Sequence, residues 1–476
     1  MARHLEVWLS GAHVGTLSQV DGRLGLAYAP GATTALSQSL PIRSEPFDDR
    51  AARPFFAGLL PEGGKRKQIA KTLQVSMQND YALLDSLGGE CAGAVTLLEP
   101  GQSPRALDGA RDVRWLDHAE LLQVLDEMPL RPMRAGDDGL RLSLAGAQDK
   151  LPVVLDADGV RIGLPLNGSP STHILKPPIA GVDGSVFNEA YCMALAGALK
   201  LDVARCQIQA ITEGAQQRHY LLVERYDRQT DVAPTLAASR AALALQAAAL
   251  PESTPLLAVP PCAGRPGAAA ISPEGAVPDL GRPGAAAVPG LRLHQEDFCQ
   301  ALGIVSEHKY QNEGGPSLAQ GFALLRSATR PSAPHTLKLL DHVVFNALIG
   351  NHDAHGKNFS LLYTPAGTVL TPLYDALCTA VYPTLTDKMA MKIDSKYKFS
   401  EVQARHWEQF AVDSALSPAQ VKKRILDIAR RLPAAVRATL ATFEKVGNHH
   451  PIIGQIVTLI DQRCALTIRR LTETTA

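Results

Sequence analysis

The chain has 476 residues, of which 46% are hydrophobic and 20% charged, and its 47 basic and 47 acidic side chains cancel. This length exceeds that of a usual single domain, so we expect two or three structural units of ordinary globular composition. The balanced charge disfavours a strongly basic nucleic-acid-binding protein.

The cysteines and the N-terminal residues indicate the cellular compartment of the protein. The seven cysteines are scattered, without a CxxC pair or a metal-ligand spacing, which is typical of reduced thiols in a cytosolic protein. The first residues show no basic-then-apolar signal pattern, and no apolar run approaches the ~20 residues that span a bilayer. We therefore expect a cytoplasmic protein without membrane contact.

Residues 1–105 read as a small α+β unit. Leu5, Val7 and Leu9 alternate with polar residues, and two further strand-like runs are separated by Asp21-Gly22, a hairpin signal. Helical patterns follow over 65–73 and 79–87.

Residues 106–230 carry the element order of a kinase N-lobe, with several strands, one helix and a further strand. The Asp-Gly and Gly-Ser pairs between the strands predict turns. The predicted strands are 151–155, 160–164, 172–176 and 219–226, and the predicted helices are 117–128 and 188–199.

Residues 231–290 interrupt this organisation over a length far beyond that of ordinary loops. They are rich in Ala, Pro and Gly, and the run 264–270 returns unchanged as 281–287 within an imperfect repeat. Such a composition cannot bury enough apolar surface to offset its ordering entropy. We predict a disordered insertion, and a function for the repeat is the alternative.

Residues 291–476 are predicted to be helical because apolar residues recur there at i, i+3 and i+4. The predicted helices are 295–302, 336–350, 417–431, 434–446 and 456–472. A helical C-lobe behind an N-lobe makes an α+β, two-lobed kinase-like fold the expected fold class.

The stretch 351–360 is the most informative part of the chain. Asp353 is followed five positions later by Asn358, which is the spacing of a kinase catalytic loop, where the Asp receives the proton of the attacking hydroxyl and the Asn holds a metal. Asp375 is placed to be the main magnesium ligand, since magnesium shares hard oxygen donors with substrate phosphates. A turn after a helix is the alternative for Asp353 alone. Together these residues predict a phosphotransferase.

Three further segments fit the same chemistry. Lys176 ends a predicted strand and can reach nucleotide phosphates if Glu189 holds it; an exposed lysine and glutamate are the alternative. The run 142–150 has small side chains that let backbone N–H groups approach phosphate, or it is a plain hairpin turn. The run 224–226 follows a strand and can contact adenine, or it is an edge strand.

Together these segments resemble the HipA family of serine/threonine kinase toxins over nearly the whole chain, and the resemblance implies a HipA- or phosphatidylinositol-kinase-like fold. The blocks 55–63 and 87–95 are similar to its N-terminal subdomain, and 143–150, 172–176 and 188–189 to its ATP-binding lobe. The blocks 296–303 and 309–316 are similar to the start of its C-lobe, and 351–360 and 374–375 complete the pattern.

The resemblance also implies a role for each matched residue. Asp353 would be the catalytic base, and Asn358 and Asp375 would hold Mg²⁺. Ser143 matches the autophosphorylated serine, whose phosphate would eject the neighbouring loop by charge repulsion. The residues implied to bind ATP are Ala145, Gly146, Ala147, Gln148, Asp149, Lys150, Lys176, Glu189, Glu224, Arg225, Tyr226, His355 and Asn358.

The resemblance implies partners as well: a HipB-like helix-turn-helix antitoxin, a protein substrate such as glutamyl-tRNA synthetase, and DNA only through the antitoxin complex. A kinase with a non-toxin substrate and a non-catalytic antitoxin- or DNA-docking module are the alternatives.

The insertion departs from the family pattern. Lys388, Lys392, Lys396 and Lys398 could face DNA, or they form a solvated surface.

Overall fold

The computed structural model describes residues 3–104, 112–228 and 292–473. The predicted insertion at 231–290 lies outside these residues. Within the described part, buried side chains form one core in the N-terminal region, one on one face of the next sheet, and a larger one that joins that sheet to the C-terminal helices.

The N-terminal region is an antiparallel sheet in the order β3-β2-β1-β4, with three helices packed against it. Its elements are β1 (Arg3–Leu9), β2 (Ala12–Val20), β3 (Arg23–Tyr28), α1 (Asp49–Gly58), α2 (Gly63–Thr72), α3 (Asp80–Leu87) and β4 (Val95–Leu98). The hairpin predicted at Asp21-Gly22 is confirmed, and both residues have positive φ, +48° and +77°. Helix α1 was not among the predicted elements. It buries Phe55 and Phe56 completely, and Asp48 caps its N-terminus.

The next region combines helices with one sheet, whose strands lie in the order β5-β7-β6-β8-β10-β9. Its elements are β5 (Val113–Trp115), α4 (His118–Glu127), β6 (Leu151–Leu155), β7 (Ile162–Pro165), β8 (His173–Lys176), α5 (Ser185–Ala198), β9 (Cys206–Glu213) and β10 (Gln216–Glu224). The predicted strands and helices are present with shifted ends, whereas β5 and β9 were not predicted. Strand β8 lies between β6 and β10, so Lys176 ends a central strand.

The C-terminal region is mainly helical but also contains strands. Its elements are β11 (His294–Asp297), α6 (Phe298–Ala301), α7 (Leu318–Ala328), α8 (Ala333–Ile349), β12 (Ser360–Thr364), β13 (Gly367–Leu370), β14 (Lys388–Ile393), β15 (Lys396–Lys398), α9 (Ala404–Asp413), α10 (Pro418–Lys445) and α11 (Pro451–Thr472). Strands β11, β12 and β13 form one antiparallel sheet, and β14 and β15 form a hairpin.

Three of the predicted C-terminal helices need correction. The segment 295–302 begins as β11, which pairs with β12, and becomes helical only after Asp297, whose side chain caps α6. The segments 417–431 and 434–446 are one helix, α10, that continues through Pro433. Leu432 and Val436 are both buried, so packing on either side of the proline holds the two halves together, which outweighs the lost backbone hydrogen bond.

Arg228 and Arg292 face each other in an isolated antiparallel bridge. The last described residue before the predicted insertion and the first described residue after it are therefore neighbours in space. In these described ranges, no helix combines the length and the apolar character needed to cross a bilayer.

Buried His342 predicts how acid affects stability. Its side chain in α8 is 2% exposed, and burial, reinforced by Lys338, lowers its pKa from 6.5 to about 3. The unfolded chain takes up a proton below pH 6.5 that the folded chain does not, so stability falls as the pH decreases from there. We expect His342→Leu to remove roughly 2 kcal/mol of the difference in unfolding free energy between pH 7 and pH 5, measured by urea unfolding.

The matched control is His449→Gln, because His449 is exposed. The wild type and this control should share one pH dependence. An unchanged pH dependence in His342→Leu would contradict the assignment.

Candidate active site

A cleft of about 260 Å³ is lined by residues from all three regions. Its walls come from the α1–α2 connection, the loop before β6, the ends of β8 and β10, strand β11 and the loop after α8. Most of the residues predicted to bind ATP or metal line it; the exception is Asp149, and Ser143 also lies outside the lining.

The loop after α8 is fixed by local hydrogen bonds. Gly350 ends the helix with φ +79°, and its N–H donates to the Asn346 carbonyl. The Asn351 amide then donates to Asn346 Oδ1 over 2.9 Å and accepts from the Asp353 N–H over 3.1 Å. Asp353 is exposed at the cleft. Burial of its surroundings raises the pKa of the carboxyl above its ordinary value, against a hydrogen bond from Tyr310.

Lys176 is held by two carboxylates in a buried setting. Its Nζ lies 2.6 Å from Glu189 Oε1 and 2.8 Å from Asp375 Oδ1. Burial works to lower the lysine pKa, but the two carboxylates raise it overall, so the side chain stays a cation. The structure therefore brings together the predicted Lys176–Glu189 pair and adds Asp375 to it.

Asp375 and Asn358 offer oxygen atoms suited to magnesium. Asn358 Nδ2 donates to Asp375 Oδ2 over 3.2 Å, while the buried Asn358 Oδ1 has no hydrogen-bond partner among the described residues. Partial desolvation in the cleft raises the Asp375 pKa, but Lys176 and Lys150 outweigh it and hold the carboxyl ionised. Asp375 is 40% exposed and has φ +58°, an uncommon conformation often found at functional sites.

This pair fits magnesium that is shared with a phosphate ligand. Magnesium is usually bound through one or two carboxylates together with substrate phosphates. In the described ranges, no group of three or more His, Cys, Asp or Glu side chains could hold a metal by itself. The unpartnered Asn358 oxygen and the Asp375 carboxylate would supply the protein ligands.

The loop before β6, predicted to bind phosphate, is shaped by Gly146 and Lys150. Gly146 has φ +114°, a backbone conformation that favours glycine, and a Cβ there would lie 2.6 Å from Nζ at the tip of the Lys150 side chain. Lys150 Nζ donates to the Ala145 carbonyl over 2.7 Å. Burial lowers the lysine pKa to about 8, which Asp375 opposes. Asp149 instead pairs with Lys65 at 2.6 Å, at the base of the loop.

Ser143 is fully buried, with 0% exposure. Its hydroxyl donates to the Leu59 carbonyl over 2.7 Å, and its N–H donates to the Glu90 carbonyl over 2.9 Å. The loop must therefore move before this hydroxyl can reach any phosphoryl donor.

The predicted adenine contact region, 224–226, follows β10 and lines the cleft. Tyr226 Oη donates to Gln295 Oε1 over 2.5 Å, and its ring lies 5.6 Å from that of Tyr374. The Arg225 guanidinium is buried against Asp227 at 2.8 Å, so a nucleotide contact there would use backbone atoms.

Burial lowers the pKa of His355 to about 3, which keeps its ring neutral.

Five residues at the site were given no role in the sequence analysis. Glu62 Oε2 lies 2.9 Å from Lys309 Nζ, and Glu62 Oε1 lies 3.7 Å from Lys357 Nζ. Lys357 also pairs with Asp297 at 2.6 Å, and Tyr310 donates to Asp353. The sequence signal was only that all five lie in blocks that resemble the family, namely 55–63, 296–303, 309–316 and 351–360. The contacts themselves join residues up to 295 positions apart, which no local pattern reports.

Comparison with known proteins places these features in a family. The family model described as HipA N-terminal domain matches residues 5–98, and the HipA-like C-terminal domain matches 142–254 and 280–436. Y4mE of Sinorhizobium fredii, whose name gives kinase only as a provisional description, is 41% identical over 446 residues, 92% of each chain. HipA of Shewanella oneidensis, named a serine/threonine-protein kinase toxin, is 27% identical over 80% of this chain and 76% of its own length.

The fold agrees with this relationship. A solved complex of Shewanella oneidensis HipA, HipB and operator DNA contains a chain that aligns with a TM-score of 0.73 at 24% identity, over 98% of this chain and 97% of that one. The expected two-lobed, kinase-like α+β fold is thereby confirmed. With both family models matched and a relative of 41% identity along most of the sequence, the chain belongs to the HipA family of kinases.

Proposed function

We propose that this protein is an ATP- and Mg²⁺-dependent serine/threonine protein kinase. The observation that carries the proposal is the buried Lys176, paired with Glu189 and Asp375, beside an Asn358 oxygen that has no partner in the described part of the chain. This is the arrangement that phosphoryl transfer uses to position phosphates and to neutralise their charge.

Each predicted residue has a role in this proposal. Lys176 and the loop 145–150 bind the phosphates, and 224–226 and His355 contact the rest of the nucleotide. ATP would supply the phosphoryl group, and Mg²⁺ on Asp375 and Asn358 would neutralise it. Asp353 takes the proton of the acceptor hydroxyl, whose oxygen then bonds to the γ-phosphorus as ADP departs.

Autophosphorylation of Ser143 would switch the kinase off. Because Ser143 is buried against the Leu59 carbonyl, a phosphorylated side chain cannot return to this position. A dianion beside the phosphate loop would also repel nucleotide phosphates. We propose that the loop, once modified, stays out of the cleft.

We further propose that the protein is a cytoplasmic toxin neutralised by a HipB-like helix-turn-helix antitoxin, through which alone it reaches DNA. Its substrate would be a translation component such as glutamyl-tRNA synthetase. The support is the relative named a kinase toxin and the fold match to a HipA chain solved with HipB and DNA. The unit boundaries proposed are 1–105, 106–230 and 291–476, with the insertion 231–290 between the last two.

The mass of the protein after incubation with ATP and magnesium tests the kinase proposal. We expect phosphate on Ser143 in the wild type and none in Asp353→Ala, because removing the base leaves the acceptor hydroxyl protonated. Nucleotide binding, measured by calorimetry, should persist in both proteins.

Asp413→Ala is the control, since this carboxylate lies in α9, outside the cleft lining, and it should label like the wild type. Equal labelling of Asp353→Ala and wild type, or no labelling of a wild type that binds ATP, would exclude the kinase proposal. Growth arrest on expression, absent in Asp353→Ala, separates a toxin from a kinase with another substrate.

A further inference from the structure

Tyr310 makes a direct contact with the proposed base. Its phenol donates a hydrogen bond of 2.7 Å to Asp353 Oδ1. In the described part of the chain, Asp353 Oδ2 has no hydrogen bond, and the residue is exposed at the cleft. One carboxylate oxygen is therefore fixed, and the other is free to receive an acceptor hydroxyl.

The segment that carries Tyr310 is fixed to the catalytic loop through its backbone. The Gly356 N–H donates to the Lys309 carbonyl over 3.3 Å, and the Gly315 N–H donates to the Tyr310 carbonyl over 2.9 Å. A Cβ at Gly315 would lie 2.3 Å from the His308 carbonyl oxygen, so the turn closes only with glycine. The backbone that carries the phenol is thus fixed relative to the catalytic loop, so the position of the phenol does not depend on side-chain torsions alone.

The aromatic ring is held as well. The Tyr310 and His355 rings meet edge to face, with centroids 5.3 Å apart, a favourable geometry for aromatic pairs. Lys309 Nζ lies 5.4 Å from the Tyr310 ring centroid and is itself paired with Glu62. A side chain restrained from both ends loses little further entropy on donating its hydrogen bond.

The charges around Asp353 show what this bond does. Desolvation by the surrounding cleft walls raises the Asp353 pKa, and the charges of Asp375 and Glu62 raise it further, whereas the Tyr310 hydrogen bond and Lys309 lower it. Burial and the neighbouring carboxylate raise the pKa of Tyr310 itself, so the phenol remains a donor. Tyr310 therefore favours the ionised carboxylate, the form that a general base requires.

We propose that Tyr310 is a positioning residue that aims Asp353, holding one carboxylate oxygen so that the other faces the acceptor hydroxyl. The inference rests on the kinase function proposed above. It goes beyond that function, since it assigns to the segment 309–316 the orientation of the base.

Tyr310→Phe tests this, because it keeps the ring and removes the donor. We expect kcat to fall about tenfold to a hundredfold, the range for losing one hydrogen bond to a charged group, with the KM for ATP unchanged. The loss should be greater at low pH, because the acid limb of the rate profile moves to higher pH as the Asp353 pKa rises. Tyr397→Phe, on the β14–β15 hairpin, is the matched control and should behave as wild type.

A wild-type kcat and pH profile in Tyr310→Phe would overturn the proposal, and so would an increase in kcat, which would mean that the phenol occupies the acceptor position. Carbon-13 NMR of labelled aspartate gives a readout that does not need activity. The Asp353 pKa should be higher in Tyr310→Phe than in the wild type, and equal values would also overturn the proposal. A wild type that shows no phosphoryl transfer would instead count against the kinase function alone.

Discussion

Replacing Asp375 by asparagine is expected to lower the rate of phosphoryl transfer by about a thousandfold or more, the scale of losing a main electrostatic contact with the reacting phosphate. The substitution removes the charge that pairs with Lys176 at 2.8 Å and that would bind magnesium beside Asn358. The fold should survive, because asparagine tolerates the positive φ of +58° at this position better than other non-glycine residues. Incorporation of labelled phosphate from ATP measures the effect.

Asp387→Asn is the matched control, since Asp387 is 65% exposed, pairs with Lys398 and lies outside the cleft lining. It should keep the wild-type rate and the wild-type effect on growth, whereas Asp375→Asn should lose both. Appreciable transfer by Asp375→Asn, with a thermal midpoint like that of the wild type, would remove Asp375 from the proposed metal site.

The second large effect concerns stability. Glu90 has 0% side-chain exposure and lies 2.6 Å from Arg228 and 3.5 Å from Arg225, which in turn pair with Asp227. Burial raises the Glu90 pKa, but Arg228, Arg225 and Arg292 lower it further, so the carboxyl stays ionised. We expect Glu90→Gln to reduce the free energy of unfolding by roughly 3–5 kcal/mol, because two buried arginines are left with Asp227 as their one paired carboxylate among the described residues.

Urea unfolding of Glu90→Gln beside Glu408→Gln measures this loss, since Glu408 is exposed on α9. The difference from wild type should be full above pH 4.5 and shrink below it, because a depressed pKa gives stability that is lost as acid protonates the carboxylate. Equal unfolding free energies for the two variants at pH 7 would show that the network does not stabilise the protein.

The amphipathic helices and the hairpin turns were predictable because short-range patterns specify them. The Asp21-Gly22 turn and the helix that became α11 are examples. Helix α1 was missed because it contains Pro54 and breaker rules end a helix just before a proline, although its residues are amphipathic. The segment that begins with β11 follows a helical pattern, but pairing with β12 decides its conformation.

Some residues of the candidate site could likewise be predicted from the sequence, and others could not. Asp353, Asn358 and Asp375 were predictable because their spacing along the chain is part of the chemistry. Tyr310 and Glu62 were not, because their partners are 43 and 247 positions away and only the folded chain brings them together. Long-range contacts of this kind have no local signal in a single sequence.

The bridge between Arg228 and Arg292 bears on how this gene can change length. Since both ends are fixed side by side, each doubling of the connecting segment adds only about 0.6 kcal/mol of closure entropy. The C-terminal family model is interrupted at 255–279, within that segment. The kinase fold thus tolerates changes in length between Arg228 and Arg292. Evolution can add or delete sequence there, and a reporter domain with adjacent termini can be inserted there.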